Sequence, residues 1–520
     1  MAKRVLYNTC AADPWVGVAQ KLRKEQGFEP VYWIGYDNDN SETIIPKMFP
    51  GAIYHPWLDA WKGIFPEEIE KLYREGKGSI DIDFLRTEVS YEVQIYKMMD
   101  RLESLPGVFS FTERQSYFFK LIKYWTICLD LYKPDMVISA IMPHRIYDYV
   151  LYMICKFKKI PFILFQYSLG PGRTFAVDDI FSVGNFLDHD YMDQKAIENH
   201  IDDLPLDVST EYRRCLSDYS EAKPYYMAFY DEMDIKWSNW YNIIPAVLKN
   251  KLKLLFDKDY WYHSKYKAMH YKNENQTLEE SCFSLCEKFR IKKKSLAIQR
   301  QLKKEYELLT DHVDLNLPYV AFFLHYQPEA TTSPGGDIFV NQQLCVEVLL
   351  KHTPEDVLVY VKEHPHQYMG HLEGFRGRTA QFYRELKKNP RVRLVPIELN
   401  SFELIKKAKA VSTVSGTVGW ESIVQGKPVI IFGTIWYERY SGVLRITDEG
   451  SASKIEDFIN YFKFEENDLL AYLSAFSKHS IRAYHYLGYE KLCDVSEEDS
   501  VNNIVRHILL RYGGVLNLKK

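Results

Sequence analysis

Short apolar segments alternate with segments of helical periodicity near both ends of this chain, and this alternation constrains the fold more than any other feature. In the first 185 residues, the segments RVLYNT, PVYWIG, DMVISA and PFILFQ are apolar enough to form buried strands. Helical patterns such as DPWVGVAQKLRKEQG, which stops at a glycine, lie between them. Strand–helix–strand units with short connections are typical of parallel sheets with right-handed crossovers. We therefore predict an α/β domain in residues 1–185, in which residues 60–131 are mostly helical.

A second alternation of the same kind begins at residue 318. The segments YVAFFL, DVLVYVK, VRLVP, AVSTV and PVIIFG predict strands, and the last two are expected to be the final strands of this domain. Helices are expected at residues 337–352 and 376–388, after an N-cap at Ser401, and between the last two strands. The predicted fold class is α/β, with two doubly wound Rossmann-type domains facing a cleft. In such sheets, ligands bind beyond the carboxyl ends of the strands.

The connecting region, residues 186–317, is rich in charged and aromatic residues and is predicted to be mainly helical. Within it, residues 248–272 carry seven lysines against two aspartates. An amphipathic face there would contact anionic lipid headgroups; the alternative is a solvated helix that links two domains. Residues 466–520 are expected to form C-terminal helices, so that the second α/β domain comprises residues 318–465.

Composition excludes several classes of protein. The formal net charge of −4 provides no bulk basic field for nucleic acid, and no apolar segment approaches the roughly 18 residues of a membrane helix. The N-terminal segment MAKRVLYNTC predicts a first strand rather than a signal peptide. The eight cysteines show no framework pattern, and Cys282 with Cys286 makes a poor zinc site. We expect a reduced, cytoplasmic protein without a bound metal.

The turn between AVSTV and PVIIFG carries groups suited to a phosphate and a ribose. A helix is expected to begin at Val418, with Thr417 as its N-cap and with Gly416 admitting a ligand close to the backbone. The amides and dipole at a helix N-terminus favour phosphate, and the hydroxyls of Ser415 and Thr417 add donors. Glu421 lies one turn further on, where a carboxylate reaches a ribose diol. The alternative is a well-capped βαβ turn, which explains the glycines and Thr417 but not Glu421.

Two further loops of the second domain carry candidates. Lys362 and His364 stand at the end of DVLVYVK, and Pro365 prevents a helix from starting at once. A histidine there donates to a phosphate or titrates near neutral pH; the alternative is a structural histidine. The long loop LHYQPEATTSPGGD offers Gln327 and Glu329, and loops of this length are often functional. Because these loops follow parallel strands, we expect them at the same edge of the sheet.

The first domain offers candidates for acid–base chemistry. Asp13 follows the first strand and His144 follows DMVISA, so both are expected at strand ends. A carboxylate there accepts the proton of an acceptor hydroxyl; the alternative for Asp13 is the N-cap of a helix that begins at Pro14. Asp13, His144 and Glu329 are the catalytic candidates. Arg173, which follows PFILFQ, is expected either to bind an anionic sugar or to have a surface role.

The second half of the chain resembles the bacterial capsule and surface-polysaccharide glycosyltransferases of GT-B fold. The matching segments are LHYQPEATT, VKEHP and SGTVGWESIVQGKPVIIFG, within residues 318–435, with a looser match in the first α/β half. The His-Pro pair is similar to the motif that contacts the phosphate of CMP-activated sugars in Kdo transferases and sialyltransferases. The resemblance implies that His364 and Pro365 serve the nucleotide, Ser415 and Thr417 its phosphate, and Glu421 its ribose.

The same resemblance implies a GT-B-like arrangement with an acceptor domain at 1–185 and a nucleotide-sugar domain at 318–465. It implies a metal-independent glycosyltransferase without a cofactor, and no metal-binding DxD motif stands after a predicted strand. The implied donor is a CMP-sugar such as CMP-Kdo or a sialic-acid-like sugar, with a UDP-sugar as the alternative. The implied nucleotide-sugar site comprises Gln327, Lys362, His364, Pro365, Ser415, Gly416, Thr417 and Glu421.

The acceptor implied by the resemblance is a glycan or glycolipid of a growing capsular or surface polysaccharide. A peripheral contact with the inner membrane is left open by the lysine-rich segment. Two other functions remain as alternatives. One is a nucleotide-sugar isomerase similar to UDP-GlcNAc 2-epimerases, which share the Ser-Gly, Glu and Gly-Lys-Pro pattern. The other is a non-catalytic glycan-binding component of the assembly machinery.

Overall fold

The computed structural model describes residues 3–36, 39–88, 91–102, 110–216, 285–369, 372, 374–486, 488–491 and 493–513. Its strands within these residues are β1 (Lys3–Asn8), β2 (Phe28–Gly35), β3 (Ile53–Pro56), β4 (Met136–Ser139), β5 (Phe162–Ser168), β6 (Gly170–Val177), β7 (Tyr319–Phe323), β8 (Leu358–Lys362), β9 (Val392–Val395), β10 (Ala410–Thr413), β11 (Val429–Ile431), β12 (Val443–Arg445) and β13 (Ile481–Arg482).

Helices occupy most of the remaining described residues. In the first half of the chain they are Ala12–Gln26, Ser41–Met48, Trp57–Lys62, Glu67–Arg74, Ile82–Glu88, Glu92–Met98, Phe111–Tyr132, Tyr147–Phe157, Asp188–Lys195 and Leu206–Leu216. In the second half they are Leu285–Leu309, Gln342–His352, Ala380–Leu386, Ser401–Lys407, Thr417–Val424, Glu449–Ala452, Ile455–Tyr461, Glu466–His479 and Glu497–Tyr512. Short 3₁₀ helices, among them Pro365–Tyr368, complete these elements.

The chain divides into two compact units. The first comprises residues 1–96, 111–208 and 471–520, and the second comprises residues 97–110 and 209–470. The C-terminal segment therefore belongs to the first unit. The predicted domains separate residues 466–520 from the second α/β domain but do not join them to the first. Helix Glu497–Tyr512 packs on helix Ala12–Gln26, and a side chain at Gly17 would meet Val501 at 2.7 Å. Burial of an apolar face on each helix holds this pairing together.

The first unit contains a seven-stranded sheet in the order β13-β6-β5-β4-β1-β2-β3. Strands β5, β4, β1, β2 and β3 are parallel, whereas β6 is antiparallel to both of its neighbours. The parallel strands are buried along most of their length, as expected for a sheet covered by helices on both faces. The strand order reverses between β1 and β4, so a crevice for a ligand is expected beyond their carboxyl ends.

The second unit contains a six-stranded sheet in the order β12-β11-β10-β7-β8-β9, and every pair in it is parallel. This is the doubly wound order of a Rossmann-type sheet, with the reversal between β7 and β10. The helices that flank the sheet contribute to one apolar core that includes Val320, Val359, Leu394 and Ile430. The prediction of two doubly wound α/β sheets is confirmed.

Several details differ from the prediction. The second sheet does not end at PVIIFG, because β12 follows β11 as a parallel edge strand. Its residues are only half-buried, so it lacks the apolar signal of the inner strands. The N-cap of helix Ser401–Lys407 is Asn400, whose side chain accepts from the amide of Phe402, rather than Ser401. The lysine-rich segment 248–272 and the side chains of Cys282 and Cys286 lie outside the described residues.

Candidate active site

Two catalytic candidates lie beyond the carboxyl edge of the first unit's sheet. Asp13 follows β1, has non-helical backbone angles, and accepts a hydrogen bond from the Tyr484 hydroxyl at 2.7 Å. Helix Ala12–Gln26 has Ala11 as its first N-cap residue and is interrupted at Asp13, whose φ of −97° and ψ of 130° are those of an N-cap residue, so the reading of Asp13 as the N-cap before Pro14 stays a prediction. Burial raises the pKa of Asp13, and this outweighs the lowering effect of Tyr484. His144 donates from Nδ1 to the carbonyl of Met142 at 2.7 Å, which fixes a ring tautomer.

Arg173 does not offer its charge to a ligand. It lies on β6, is almost fully buried, and pairs with Asp207 through two hydrogen bonds of 2.6 and 2.9 Å. A third nitrogen donates to Ser480 at 2.9 Å. Both predicted roles of Arg173, in binding an anionic sugar and at the surface, are therefore wrong. Its guanidinium holds the pKa of Asp207 below its usual range although burial acts in the opposite direction.

In the second unit, the carboxyl ends of β7 and β10 lie side by side at the strand-order reversal. A hydrogen-bond chain joins the loops that follow them. The amide of Ser415 donates to Nε2 of His325 at 3.0 Å, so the ring proton sits on Nδ1. This nitrogen faces the Thr331 hydroxyl at 3.2 Å, and that hydroxyl donates to Glu329 at 2.8 Å. The chain fixes the tautomer of His325 and the position of Glu329.

Glu329 is held as a carboxylate by this chain. Burial acts to raise its pKa, but the interaction with the His325 ring and the hydrogen bond from Thr331 act more strongly together, and the pKa is lowered. A group that already accepts a hydrogen bond and stays ionised is suited to orienting its neighbours. It is poorly suited to donating a proton. His325 was not singled out as a site residue because its partners are distant in sequence.

The turn after β10 opens helix Thr417–Val424. Gly416 is the N-cap residue, and the Thr417 side chain makes no capping bond, so the predicted cap at Thr417 is wrong. A Cβ on Gly416 would lie 2.9 Å from the Thr413 hydroxyl and 3.3 Å from His325, which leaves room only for glycine. Among the hydrogen bonds of the described residues, the amides of Thr417 and Val418 have no backbone partner. They are placed to bind an anion.

The Ser415 hydroxyl is already used within the fold. It donates to the carbonyl of Thr331 at 2.9 Å, and its residue is buried. Since a hydroxyl has a single proton, Ser415 would have to release this hydrogen bond to donate to a phosphate, and its phosphate role stays a prediction. Thr417, by contrast, is exposed at the mouth of the turn. Without that change, the donors at this turn are backbone amides and the Thr417 hydroxyl.

His364 presents one ring nitrogen to this edge. Its Nδ1 accepts from the amide of His366 at 3.1 Å, which places the proton of the neutral ring on Nε2. Burial, helped by the neighbouring His366, lowers the pKa of His364 to about 3. The prediction that it titrates near neutral pH is therefore wrong, whereas a donor role is compatible with the geometry. Pro365 opens the 3₁₀ helix Pro365–Tyr368 that holds this arrangement.

Two predicted ligand-binding side chains are used within the fold. The Lys362 amine donates to the carbonyls of Pro396, Ile397 and Leu399 at 2.6–3.3 Å, which takes all three of its protons. Burial also lowers the pKa of Lys362 to about 8. Gln327 is buried, and its side-chain amide donates to the carbonyl of Val340 at 2.6 Å. The binding roles predicted for Lys362 and Gln327 would require these side chains to exchange partners, and they stay predictions.

A buried ion pair ties the loops after β7 and β8 together. Arg378 donates from Nε to Glu363 at 2.9 Å and from Nη2 to the carbonyl of His325 at 3.0 Å. Glu363 also accepts from the Tyr383 hydroxyl at 2.6 Å and from the His364 amide at 2.8 Å. Both members of the pair are almost inaccessible to solvent. The pair therefore fixes His325 and His364, although no motif in the sequence marks Arg378.

Glu421 is buried on the second turn of helix Thr417–Val424. Burial raises its pKa to about 7; the charge of Arg214 lowers it and that of Glu211 raises it. These two residues lie on helix Leu206–Leu216, which the sequence did not connect with the site. A buried carboxyl with a raised pKa gains from any ligand that donates hydrogen bonds to it. A ribose diol is such a ligand, so the geometry is compatible with the predicted role.

Comparisons with known proteins match parts of the chain. A family model described as capsule polysaccharide biosynthesis protein matches residues 335–457. The capsule polysaccharide modification protein LipA of Neisseria meningitidis serogroup B (strain ATCC BAA-335 / MC58) is 28% identical over 103 residues, which is 20% of this chain and 14% of LipA. The matched segment, the strand order and the turn after β10 all fall in one unit.

We refer to residues 335–457, which the family model matches, as the capsule family segment.

Within the capsule family segment lie His364, Arg378, the turn at Gly416 and Glu421, whereas His325 and Glu329 precede it. Solved structures give distant matches. The KpsC beta Kdo 2,7 transferase of Thermosulfurimonas dismutans is 15% identical over 40% of this chain and 61% of its own, with a TM-score of 0.22. The UDP-GlcNAc 2-epimerase of Methanocaldococcus jannaschii is 11% identical over 92% and 98%, with a TM-score of 0.24. The fold assignment therefore rests on the strand order of the two sheets.

The helices offer no membrane span: among the described residues, none combines the length and apolar character that crossing a bilayer requires.

Proposed function

We propose that this protein is a metal-independent glycosyltransferase that moves a sugar from a nucleotide-sugar donor to a glycan or glycolipid of a capsular polysaccharide. The capsule family segment supports the place in capsule assembly. One observation carries the proposed activity. Donors on two loops, the amides after β10 and Nε2–H of His364 after β8, lie at the carboxyl edge of a Rossmann-type sheet beside its strand-order reversal.

The donor nucleotide is assigned to this edge by the chemistry of its groups. The amides of Thr417 and Val418, the Thr417 hydroxyl and Nε2–H of His364 would bind the phosphate. The buried carboxyl of Glu421 would accept from the ribose diol. We propose that these hydrogen bonds and the dipole of helix Thr417–Val424 hold the phosphate without a metal ion. A single phosphate needs only these few donors, which favours a CMP-sugar over a UDP-sugar.

Asp13 is proposed as the base. Its carboxylate accepts the proton of the acceptor hydroxyl while the acceptor oxygen forms a bond to the anomeric carbon of the donor. The bond from that carbon to the phosphate oxygen breaks, and its electron pair leaves with the nucleotide. Burial raises the pKa of Asp13 toward the working pH, which improves a carboxylate as a base, and the Tyr484 hydroxyl orients it.

Nucleotide binding tests the proposal directly. Thermal unfolding of the full chain is measured with CMP, UDP, GDP and their sugars, with and without EDTA. We expect CMP to stabilise the protein and EDTA to have no effect; a ligand at 100 times its Kd adds about 2.7 kcal/mol. No stabilisation by any nucleotide, or sugar interconversion without an acceptor, would reject the glycosyltransferase. Loss of binding in EDTA would reject metal independence.

Two substitutions of His364 separate its two ring nitrogens. His364→Asn keeps an acceptor near the His366 amide but loses the distal donor, whereas His364→Gln places an amide donor near the position of Nε2. If Nε2–H binds phosphate, His364→Asn should weaken CMP binding by about 1.5–3 kcal/mol and His364→Gln by less. Calorimetry measures both. If both variants bind CMP with the affinity of the unaltered protein, His364 is not part of the nucleotide site.

A further inference from the structure

A cluster of aromatic residues around one arginine lies beyond the carboxyl edge of the first unit's sheet. Tyr36 follows β2, Trp57 follows β3, Arg145 follows β4 by six residues, and Tyr486 follows β13. Because β6 is antiparallel to both β5 and β13, the carboxyl end of β13 lies at the same edge as those of the parallel strands. We refer to Tyr36, Trp57, Arg145 and Tyr486 as the Arg145 cluster.

The guanidinium of Arg145 is buried without a full set of partners. Its Nη2 donates to the hydroxyls of Tyr486 at 2.8 Å and Tyr36 at 3.3 Å, and its Cζ lies 4.2 Å from the centre of the Trp57 ring. Nη1 is buried and has no hydrogen-bond partner among the described residues. Arg145 as a whole is 8% exposed. A buried donor without an acceptor is unfavourable, so this arrangement calls for an acceptor from outside the unit.

No carboxylate of the described residues forms an ion pair with Arg145. Asp148 is close in sequence, but it accepts from the backbone amide of Arg145 at 2.6 Å rather than from the guanidinium. The π faces of Trp57 and Tyr36 compensate part of the positive charge. A guanidinium with one vacant edge matches the geometry of a carboxylate or a phosphate. The charge of Asp148 attracts the guanidinium but leaves Nη1 without an acceptor, so this nitrogen fits an oxyanion supplied by a ligand.

The backbone beside Arg145 is held in a sparsely populated conformation. Ile146 has φ 66° and ψ −66°, and the amide of Tyr147 donates to the carbonyl of Arg145 at 2.7 Å. This is a γ-turn of the rare kind with positive φ, and it contains a β-branched residue. A strained backbone conformation persists where the surrounding packing and hydrogen bonds prevent the residue from relaxing. Such residues are concentrated at binding sites. Here the γ-turn sets the direction of the Arg145 side chain.

We propose that the Arg145 cluster binds an acidic group of the acceptor glycan, with Nη1 of Arg145 donating to the oxyanion and Trp57 and Tyr36 lining the sugar. The acceptor role rests on the proposed glycosyltransferase function. The oxyanion is either a sugar carboxylate or the phosphate of a glycolipid, because a guanidinium pairs with both. The cluster thereby selects acidic acceptors over neutral ones.

Binding of small probes by the full chain tests this inference. The probes are a glucuronate-containing disaccharide, the matched disaccharide with glucose in place of glucuronate, and a glycosyl phosphodiester. We expect at least one acidic probe to bind the unaltered protein tenfold or more tighter than the neutral one by NMR titration. Arg145→Gln should reduce the affinity for that acidic probe to the affinity for the neutral probe, and it should leave the affinity for the neutral probe unchanged. The better acidic probe identifies carboxylate or phosphate.

Further variants keep the test decisive if Arg145→Gln fails to fold. Arg145→Lys keeps a charge and loses the planar fork, and Tyr486→Phe removes a hydroxyl that holds Nη2; each should weaken acidic-probe binding several-fold. Arg23→Gln, an exposed arginine paired with Glu29, is the matched control and should change nothing. Equal binding of acidic and neutral probes to the unaltered protein, or unchanged acidic binding in all Arg145 and Tyr486 variants, overturns the inference.

CMP binding is followed in the same samples. Arg145→Gln should retain it, because Arg145 lies in the first unit and the proposed nucleotide groups lie in the second. Failure of CMP binding in every sample rejects the proposed function. The acidic probes still decide whether the Arg145 cluster binds an oxyanion.

Discussion

The carboxyl edges of the two sheets have the same strand order but differ in how far hydrogen bonds connect their loops. Both sheets reverse their strand order between the first and fourth strands, and both carry polar groups in the loops beyond that point. In the second unit, hydrogen bonds connect the loops after β7, β8, β9 and β10, although among the described residues Ser333 and Ser412 each retain a buried polar atom without a partner. In the first unit, several buried polar atoms have none. The groups at the second unit's edge are therefore held in place without a ligand, whereas the first unit's edge contains Arg145, whose hydrogen bonds a ligand would complete.

The second unit's edge is braced by its own side chains. His325 links the loops after β7 and β10, the Arg378–Glu363 pair links those after β7 and β8, and Lys362 holds the loop after β9. Such bracing places the amides of the turn and the ring of His364 before any ligand arrives. Pre-organised donors lose little freedom on binding, which favours affinity for a small, constant ligand such as a nucleotide.

The first unit's edge retains unpaired buried atoms among its described residues. Nη1 of Arg145, one carboxylate oxygen of Asp148, the Asn8 side-chain oxygen and Nε2 of His485 have no hydrogen-bond partner there. Each is unfavourable in the empty protein. Arg145 is the most exposed of these four residues, and an acidic group of a ligand would satisfy its vacant nitrogen. We therefore propose that the second unit's edge binds its ligand with little rearrangement, and that a ligand completes the hydrogen bonds of Arg145 in the first unit.

The largest effect is expected from breaking the brace in the second unit. Arg378→Met leaves Glu363 buried without its counter-ion, and such a loss costs about 3–5 kcal/mol of unfolding free energy. Chemical denaturation followed by tryptophan fluorescence measures it. Arg384→Met, on the adjacent helix, is the matched control: its pair with Glu305 is more exposed, so the change should stay below about 1 kcal/mol. Equal effects of the two substitutions would show that the buried pair is not a brace.

Glu421 differs from the other carboxylates described in the second unit, because burial raises its pKa. The free energy of unfolding should therefore depend on pH through this residue. A carboxyl whose pKa rises from 4.5 to about 7 on folding binds its proton more tightly in the folded state. Stability is therefore lost as pH rises from 4.5 through 7, and the loss is constant above that range. At 1.4 kcal/mol per pKa unit, Glu421→Gln should stabilise the protein by up to about 3 kcal/mol at pH 8 and by little at pH 5. Thermal unfolding at both values checks this; a pH-independent difference contradicts it.

Asp13 tests whether the first unit's edge performs chemistry. Asp13→Asn keeps an oxygen for the Tyr484 hydroxyl and removes the charge that accepts a proton. If Asp13 is the base, turnover should fall by roughly 100-fold, while stability and CMP binding are retained. In the unaltered enzyme, turnover should rise with pH through the raised pKa of Asp13. Near-normal turnover of Asp13→Asn would move the role to His144 or Glu329.

The local features of the candidate site were predictable because they depend on neighbours in the chain. The strand ends before Asp13, His364 and Gly416 follow from apolar runs of strand length, and parallel pairing places the last two at one edge. The exclusion of any side chain at Gly416 is a close-packing effect that a glycine in a turn already indicates. The edge strand β12 was missed because its half-buried residues carry no clear period.

The roles of long polar side chains were not predictable. Lys362 and Arg173 lie at or beside strand ends, a position that suggests ligand binding. Both side chains instead form hydrogen bonds with residues 30 or more positions away in the sequence. The same distance hid the groups that do shape the site, such as Arg378 and Tyr484. The titration of His364 was mispredicted because burial, which the sequence does not report, lowers its pKa.

The sequence by itself therefore determined two parallel α/β sheets and the loops that follow their strands. Backbone pairing and burial follow from the period and length of apolar segments, which are local properties. Only the tertiary structure decided which side chains in those loops are satisfied, which are charged, and which still lack a partner. Hydrogen-bond partners and desolvation come from residues far apart in the chain, so they exist only once the chain has folded.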